Sequence, residues 1–140
     1  MNATAGTARF VPAAGRRGLT RFYDATVALT MREETFRGRL ASQALAGIGP
    51  GAHIVEVGTG TGTLAIAMAA AAPSARVSGI DPDPEALAIA RSKDGAGAVS
   101  WHEGLAADLP FPDEGCDRVV MSLLLHHLDA DAKRSALAEA

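Results

Sequence analysis

The sequence is short of the residues that define several protein classes. It has one cysteine, Cys116, so neither an internal disulfide nor a cysteine-pair zinc site can form. That fits a reducing compartment, and a cytoplasmic location is expected. Aromatic residues make up only 4% of the chain, so the core must be built from Ala, Val, Leu and Ile. No apolar run is long enough to span a bilayer. The Ala-rich run Leu64–Ala72 is followed by Pro73 and falls well below the ~20 residues a spanning helix needs. The stretch after Arg16-Arg17 is too polar for a secretory signal. No membrane partner is therefore expected.

The 140 residues are 48% apolar, a globular composition for a single domain. Net charge is −3, but it is unevenly spread. Residues 1–50 carry seven Arg against three acids, while residues 51–140 carry six bases against thirteen acids. A nucleic-acid binder shows a basic face on its folded core. Here the larger part is acidic, so no nucleic-acid partner is expected. Arg32, Arg37 and Arg39 read as a solvated helix face.

The chain divides into three parts. Residues 1–18 read as a flexible tail. Residues 19–50 read as helical. Leu19–Leu29 forms one short helix, and a capping box from Thr30 to Glu33 opens another that carries Phe36, Leu40 and Ala44 on one face. Gly47, Gly49, Pro50 and Gly51 stop it. Residues 51–140 then alternate. Short β-branched runs at His53–Val57, Arg76–Ile80, Ala98–His102 and Arg118–Leu125 read as strands. Leu64–Ala72 is a helix. Asp83-Pro84-Glu85 opens a second, with Asp as cap, Pro in the first turn and Glu at the positive end. Asp129 caps a third. Such alternation predicts an α/β fold with a parallel sheet of about four strands and flanking helices.

Val55-Glu56-Val57-Gly58-Thr59-Gly60-Thr61-Gly62 lies where the first strand turns into a helix. Glycines there let the backbone turn sharply and approach a ligand. Asp81 ends the second strand, where a carboxylate can accept hydrogen bonds from two ribose hydroxyls. The dinucleotide pattern places its third glycine at position 63, where Thr63 stands. Glu56 would also repel a pyrophosphate. A ligand carrying positive charge and no phosphate suits this site better.

In these residues the chain resembles the class I S-adenosylmethionine-dependent methyltransferases, with a Rossmann-like fold, from about Gly51 onward. It is most similar to the small-molecule branch that includes the quinone-biosynthesis C-methyltransferases. The resemblance implies S-adenosyl-L-methionine as cofactor and a small-molecule methyl acceptor as partner. It implies that Glu56, Gly58, Thr59, Gly60 and Gly62 wrap the methionine part, that Asp81 holds the ribose and that Pro82, which follows it, lies beside the adenine. Within Ala107–Pro112 it assigns Asp108 to the adenine amino group and Leu109 to the ring. Ser122–Leu128 resembles the segment that closes over the sulfonium, which brings in Ser122. Tyr23-Asp24 is similar to an upstream lid.

The chain also departs from the pattern. Cys116 replaces an aromatic and reads as a small core residue. The family continues past the position of Ala140 with further strands, so the sheet is expected to be incomplete, as in a truncated chain. The fourth strand would then be an open edge to which a second copy can add as a homodimer. The implied reaction is direct methyl transfer. Two alternatives stand beside it: a non-catalytic cofactor-binding or interaction fragment, and an NAD-dependent oxidoreductase. No catalytic residue can be named and no metal is expected. His126 and His127, read as neighbours on a strand, would point to opposite faces and have no ligand partner at metal spacing. A structural role at the strand end is expected for them.

Overall fold

A computed structural model of the chain describes residues 33–140. The expected tail over 1–18, the helix over 19–29, Thr30 of the capping box and Tyr23-Asp24 lie outside the described residues. The elements run α1 (Glu33–Leu45), β1 (His53–Val57), α2 (Thr63–Ala71), β2 (Arg76–Asp81), α3 (Pro84–Lys93), β3 (Val99–Glu103), β4 (Arg118–Met121), a 3-10 turn (Leu125–His127) and α4 (Ala130–Glu139). The four strands form one parallel sheet in the order β3-β2-β1-β4. The architecture is the α/β sheet with flanking helices that the sequence predicts.

β1 is buried at all five positions, as a central parallel strand covered on both faces must be. Its alternation splits the core in two. Ile54 points to one face and packs with Val77, Val99 and Val120 against Ala41 and Ala44 of α1 and Leu64, Ala65, Met68 and Ala69 of α2. Small alanines let these helices lie close to the sheet. Val55 and Val57 point to the opposite face and pack with Ile80 and Leu109, flanked by Phe111, Cys116, Val119, Met121 and Leu124. Cys116 is thus a half-buried core-edge residue, and burial pushes its thiol up, helped by the Asp117 charge.

The caps follow local chemistry. Asp83 accepts from the Glu85 and Ala86 amides at 2.9 and 3.4 Å, with Pro84 in the first turn. Asp129 does the same for α4 through Asp131 and Ala132. α1 ends at Leu45 ahead of Gly47, whose φ is +71°. Its last carbonyls, the negative end of the helix, are held by Arg118, which donates to Gln43 O and Ala46 O at 3.1 Å each. This fork ties α1 to the start of β4.

Two expectations need correction. Phe36 is exposed rather than part of the buried face of α1, which runs through Leu40, Ala41, Ala44 and Leu45. β4 ends at Met121 rather than at Leu125. Leu123 takes a left-handed φ of +56°, and the chain curls into the 3-10 turn instead of continuing extended. Single-residue differences at the ends of β2 and β3 change nothing in the topology.

Met68 has no exposed surface. Met68→Ala should therefore cost about 2–5 kcal/mol from lost burial and a cavity, whereas Ala67→Ser on the exposed side of α2 should stay within about 0.5 kcal/mol. Urea denaturation of the two variants checks this.

Candidate functional site

The parallel sheet sends the C-terminal ends of all four strands to one rim. The chain steps from β1 outward to β2 and β3, then returns to the other side of β1 for β4. The strand order thus reverses between β1 and β4, the position at which α/β sheets take their ligands. The glycine loop leaves β1 there. Asp81 ends β2 on the same rim. Ser122, half-buried, follows Met121, which lies level with Val57.

Four of the loop's amides are satisfied by the protein itself. The Gly58 and Thr59 amides both donate to Ile80 O at 2.9 Å. The Gly60 amide donates to Asp81 Oδ2 at 2.8 Å, and the Gly62 amide to Thr59 O at 2.9 Å. A loop that cradles phosphate needs those N–H groups free and pointing outward. Here four of them are already engaged.

The three glycines do different work. Gly58 has φ +73°, and a side chain there would sit 2.9 Å from Leu124 Cδ1. Gly62 has φ +77°, and a Cβ would lie 2.3 Å from Trp101 Cη2 and 2.8 Å from the Ala90 side chain. Its place is in packing, beneath α3 and Trp101. Gly60, at φ +54°, has nothing within 4 Å of an added Cβ. Gly60 is therefore the glycine with open space beside it.

Two buried carboxylates flank the loop. Glu56, 3% exposed, accepts from the Thr59 hydroxyl at 2.7 Å. Burial raises its pKa from 4.5 to about 7, against the opposing pull of Thr59, the Ala65 amide at the start of α2 and the Arg37 charge. The sequence left open a pairing of Glu56 with a base; the direct partner is the Thr59 hydroxyl. Asp81 is raised by burial too, opposed by the amides of Asp83 and Gly60. Asp81 Oδ1 accepts from Asp83 N at 2.9 Å. Asp81 therefore braces both its own turn and the glycine loop, and each oxygen keeps one further lone pair for a ligand.

The other expected residues are more dispersed. Pro82 is half-buried beside Asp81. Asp108 is exposed and closes a small turn with Leu105. Leu109 is buried in the same cluster as Val57 and Ile80, and its amide donates to Glu139 of α4 at 3.0 Å. Two residues that support the site, Trp101 and Lys93, escaped the sequence reading, and a third, Leu124, was read only as part of the Ser122–Leu128 segment. Trp101 lies over Gly79 and Gly62. Lys93 donates to Thr61 and Thr63 across the loop at 3.2 and 2.6 Å. Leu124 packs against Gly58. Only Trp101 left a signal, as the chain's single Trp on a strand beside a glycine-bearing one. Among the described residues no group of three or more His, Cys, Asp or Glu side chains is placed to hold a metal ion. None of the described helices is long and apolar enough to cross a membrane.

The fold is an α/β domain whose parallel sheet reverses its strand order beside the glycine loop. Residues 54–140, well over half of the chain, match the family described as a methyltransferase domain, and the chain belongs to that family. No curated protein matches it. Among solved structures it is similar to protein mmp1179 of Methanococcus maripaludis, at 14% identity and a TM-score of 0.73, covering 98% of this chain and 61% of that one. It is similar to CalS10, an amino pentose methyltransferase from Micromonospora echinaspora solved with S-adenosylmethionine, at 24% identity and TM-score 0.68, covering 85% and 49%. It is also similar to the N-methyltransferase NodS of Bradyrhizobium japonicum WM9, solved with S-adenosyl-L-homocysteine, at 20% identity and TM-score 0.67, covering 81% and 57%. At these identities the likeness is one of fold. The chain spans 61% or less of the length of each of these three.

Two predictions follow from the geometry. Gly60→Ala should cost only the left-handed strain of roughly 1–2 kcal/mol. Gly62→Ala adds overpacking against Trp101 and should cost roughly 2–5 kcal/mol in total; thermal melts of the two variants compare them. For Glu56, the folded state favours the acid form. Its contribution to stability is fully present below about pH 4.5 and is lost as pH rises through about 7. The loss amounts to about 3 kcal/mol. Glu56→Gln should remove that fall, as seen by urea denaturation across pH 4–8.

Proposed function

We propose that the C-terminal rim of the sheet binds S-adenosyl-L-methionine and that the chain belongs to an enzyme that methylates a small-molecule acceptor. One observation carries this reading: the glycine loop spends its amides internally and presents buried carboxylates instead. Such a lining suits a ligand with positive charge and no phosphate. It disfavours NAD, whose pyrophosphate would meet amides that are already engaged.

The residues present fit the cofactor. Glu56 lies where a cationic ligand would hold it ionised, and Gly60 leaves room for close approach. The remaining lone pairs of Asp81 suit two vicinal hydroxyls. Pro82, Asp108, Leu109 and Ser122 are proposed to border the adenine and sulfonium ends, with Gly58, Thr59 and Gly62 shaping the loop. The cofactor supplies an activated methyl group, so the hard chemistry is its own. The chain's residues orient it and hold the acceptor in line. The family match to a methyltransferase domain supports the reaction class. Small-molecule acceptors are supported by CalS10, whose description names an amino pentose methyltransferase. The likeness to the quinone-biosynthesis branch rests on the sequence alone.

Calorimetric titration with S-adenosylmethionine, with NAD as competitor and Asp81→Ala as control, tests the proposal. Binding that NAD does not displace, weakened at least tenfold in the variant, is expected. Binding of NAD in place of S-adenosylmethionine would overturn it. Binding without turnover on any acceptor would leave a cofactor-binding module and remove the enzymatic half of the reading.

A further inference from the structure

The glycine loop is fastened differently along its two halves. The first half is held by the end of β2: the Gly58 and Thr59 amides both donate to Ile80 O, and the Gly60 amide donates to Asp81 Oδ2. The second half, from Thr61 to Thr63, meets α3. A Cβ on Gly62 would lie 2.8 Å from the Ala90 side chain, so α3 passes close over this stretch. Lys93, in the last turn of α3, donates to the hydroxyls of Thr61 and Thr63 at 3.2 and 2.6 Å. Ala90 and Lys93 stand three apart and share a helix face. Packing and hydrogen bonds therefore press on the same piece of loop. Thr61 is buried, while Lys93 is exposed.

The start of α2 shows what this contact is for. Gly62 takes the cap position in a left-handed conformation and offers no side-chain hydrogen bond. The helix start therefore depends on side chains from elsewhere. Glu56 accepts from the Ala65 amide, and Lys93 takes the Thr63 hydroxyl. An ammonium is the wrong charge for the positive end of a helix, so its gain there comes through the two hydroxyls. The opposite end of α3 is fastened as well: the amide of Asp83, its cap, donates to Asp81 Oδ1 at 2.9 Å. α3 is thus a strut between the acid that ends β2 and the far half of the glycine loop.

We propose that Lys93 is a positioning residue for the cofactor. It latches Thr61–Thr63 against α3 and so sets the shape of the loop around the amino-acid end of S-adenosylmethionine. This rests on the cofactor reading above. Without the latch, Gly60 stays braced by Asp81, so the ribose side keeps its geometry while the methionine side loosens. Lys93 also complements the negative end of α3. A lysine kept for that purpose alone would leave the loop unchanged when its donors are removed.

Two variants separate these roles. Lys93→Met removes the donors and keeps a long side chain; Lys93→Arg keeps donors and charge. Amide hydrogen exchange is read first, on the free protein. In Lys93→Met the Gly62 amide, bonded to Thr59 O, should exchange about tenfold faster while the Gly58 and Thr59 amides keep their rates. Calorimetry then compares S-adenosylmethionine and S-adenosylhomocysteine with methylthioadenosine, which lacks the amino-acid end. Lys93→Met should weaken the first two about three- to tenfold and leave the third within about twofold. Lys93→Arg should restore both readouts. Unchanged Gly62 exchange, unchanged affinities, or equal weakening of all three ligands would overturn the assignment while leaving the cofactor reading intact. Failure of the unsubstituted chain to bind S-adenosylmethionine would overturn the cofactor reading, and the role given to Lys93 with it.

Discussion

The hydrogen bonds that bind the glycine loop to the end of β2 are the constraint on which the site depends. Ile80 O takes the amides of Gly58 and Thr59, and Asp81 takes that of Gly60. A loop of three left-handed glycines would be entropically costly to order by itself. Anchored at three successive amides to a buried central strand, it is shaped before any ligand arrives. The third glycine then lies flat enough for Trp101 and Ala90 to pack on it. α2 starts where the loop ends, and α1 is tied back to the sheet by the Arg118 fork. The rim is thus braced by hydrogen bonds on the β1–β2 side and bends at the left-handed Leu123 on the β4 side.

That economy has an electrostatic consequence. With four of the loop's amides engaged, the acids that flank it are Glu56 at the end of β1 and Asp81 at the end of β2. Glu56 is buried with a hydroxyl rather than a cation as its direct partner, so desolvation dominates and its acid form is favoured near neutrality. A cationic ligand reverses the balance by stabilising the carboxylate.

What the sequence made legible was local. The β-branched run at β1 and the Asp83-Pro84-Glu85 opening of α3 identify themselves from neighbouring residues, and so does the Asp129 cap. The shortfalls are non-local. Nothing near Leu123 announces a left-handed bend, because it accompanies the packing of Leu124 onto Gly58, some 66 positions earlier in the chain. Phe36 fits the helical period of α1, but the sheet accepts the alanines beside it. Spacing placed three glycines on one loop and could not say that Gly60 faces open space while Gly62 lies under Trp101. Asp108 and Leu109 share a motif in sequence yet part in the fold, one exposed and one in the core.

The charge of Glu56 decides whether the loop is matched to a cationic ligand. Carbon-13 NMR of its side-chain carboxyl at pH 6, before and after S-adenosylmethionine is added, reads it directly. The expected result is a mostly protonated carboxyl in the free protein that ionises when the ligand binds. A carboxyl already ionised in the free protein, or one unmoved by a ligand that demonstrably binds, would contradict it.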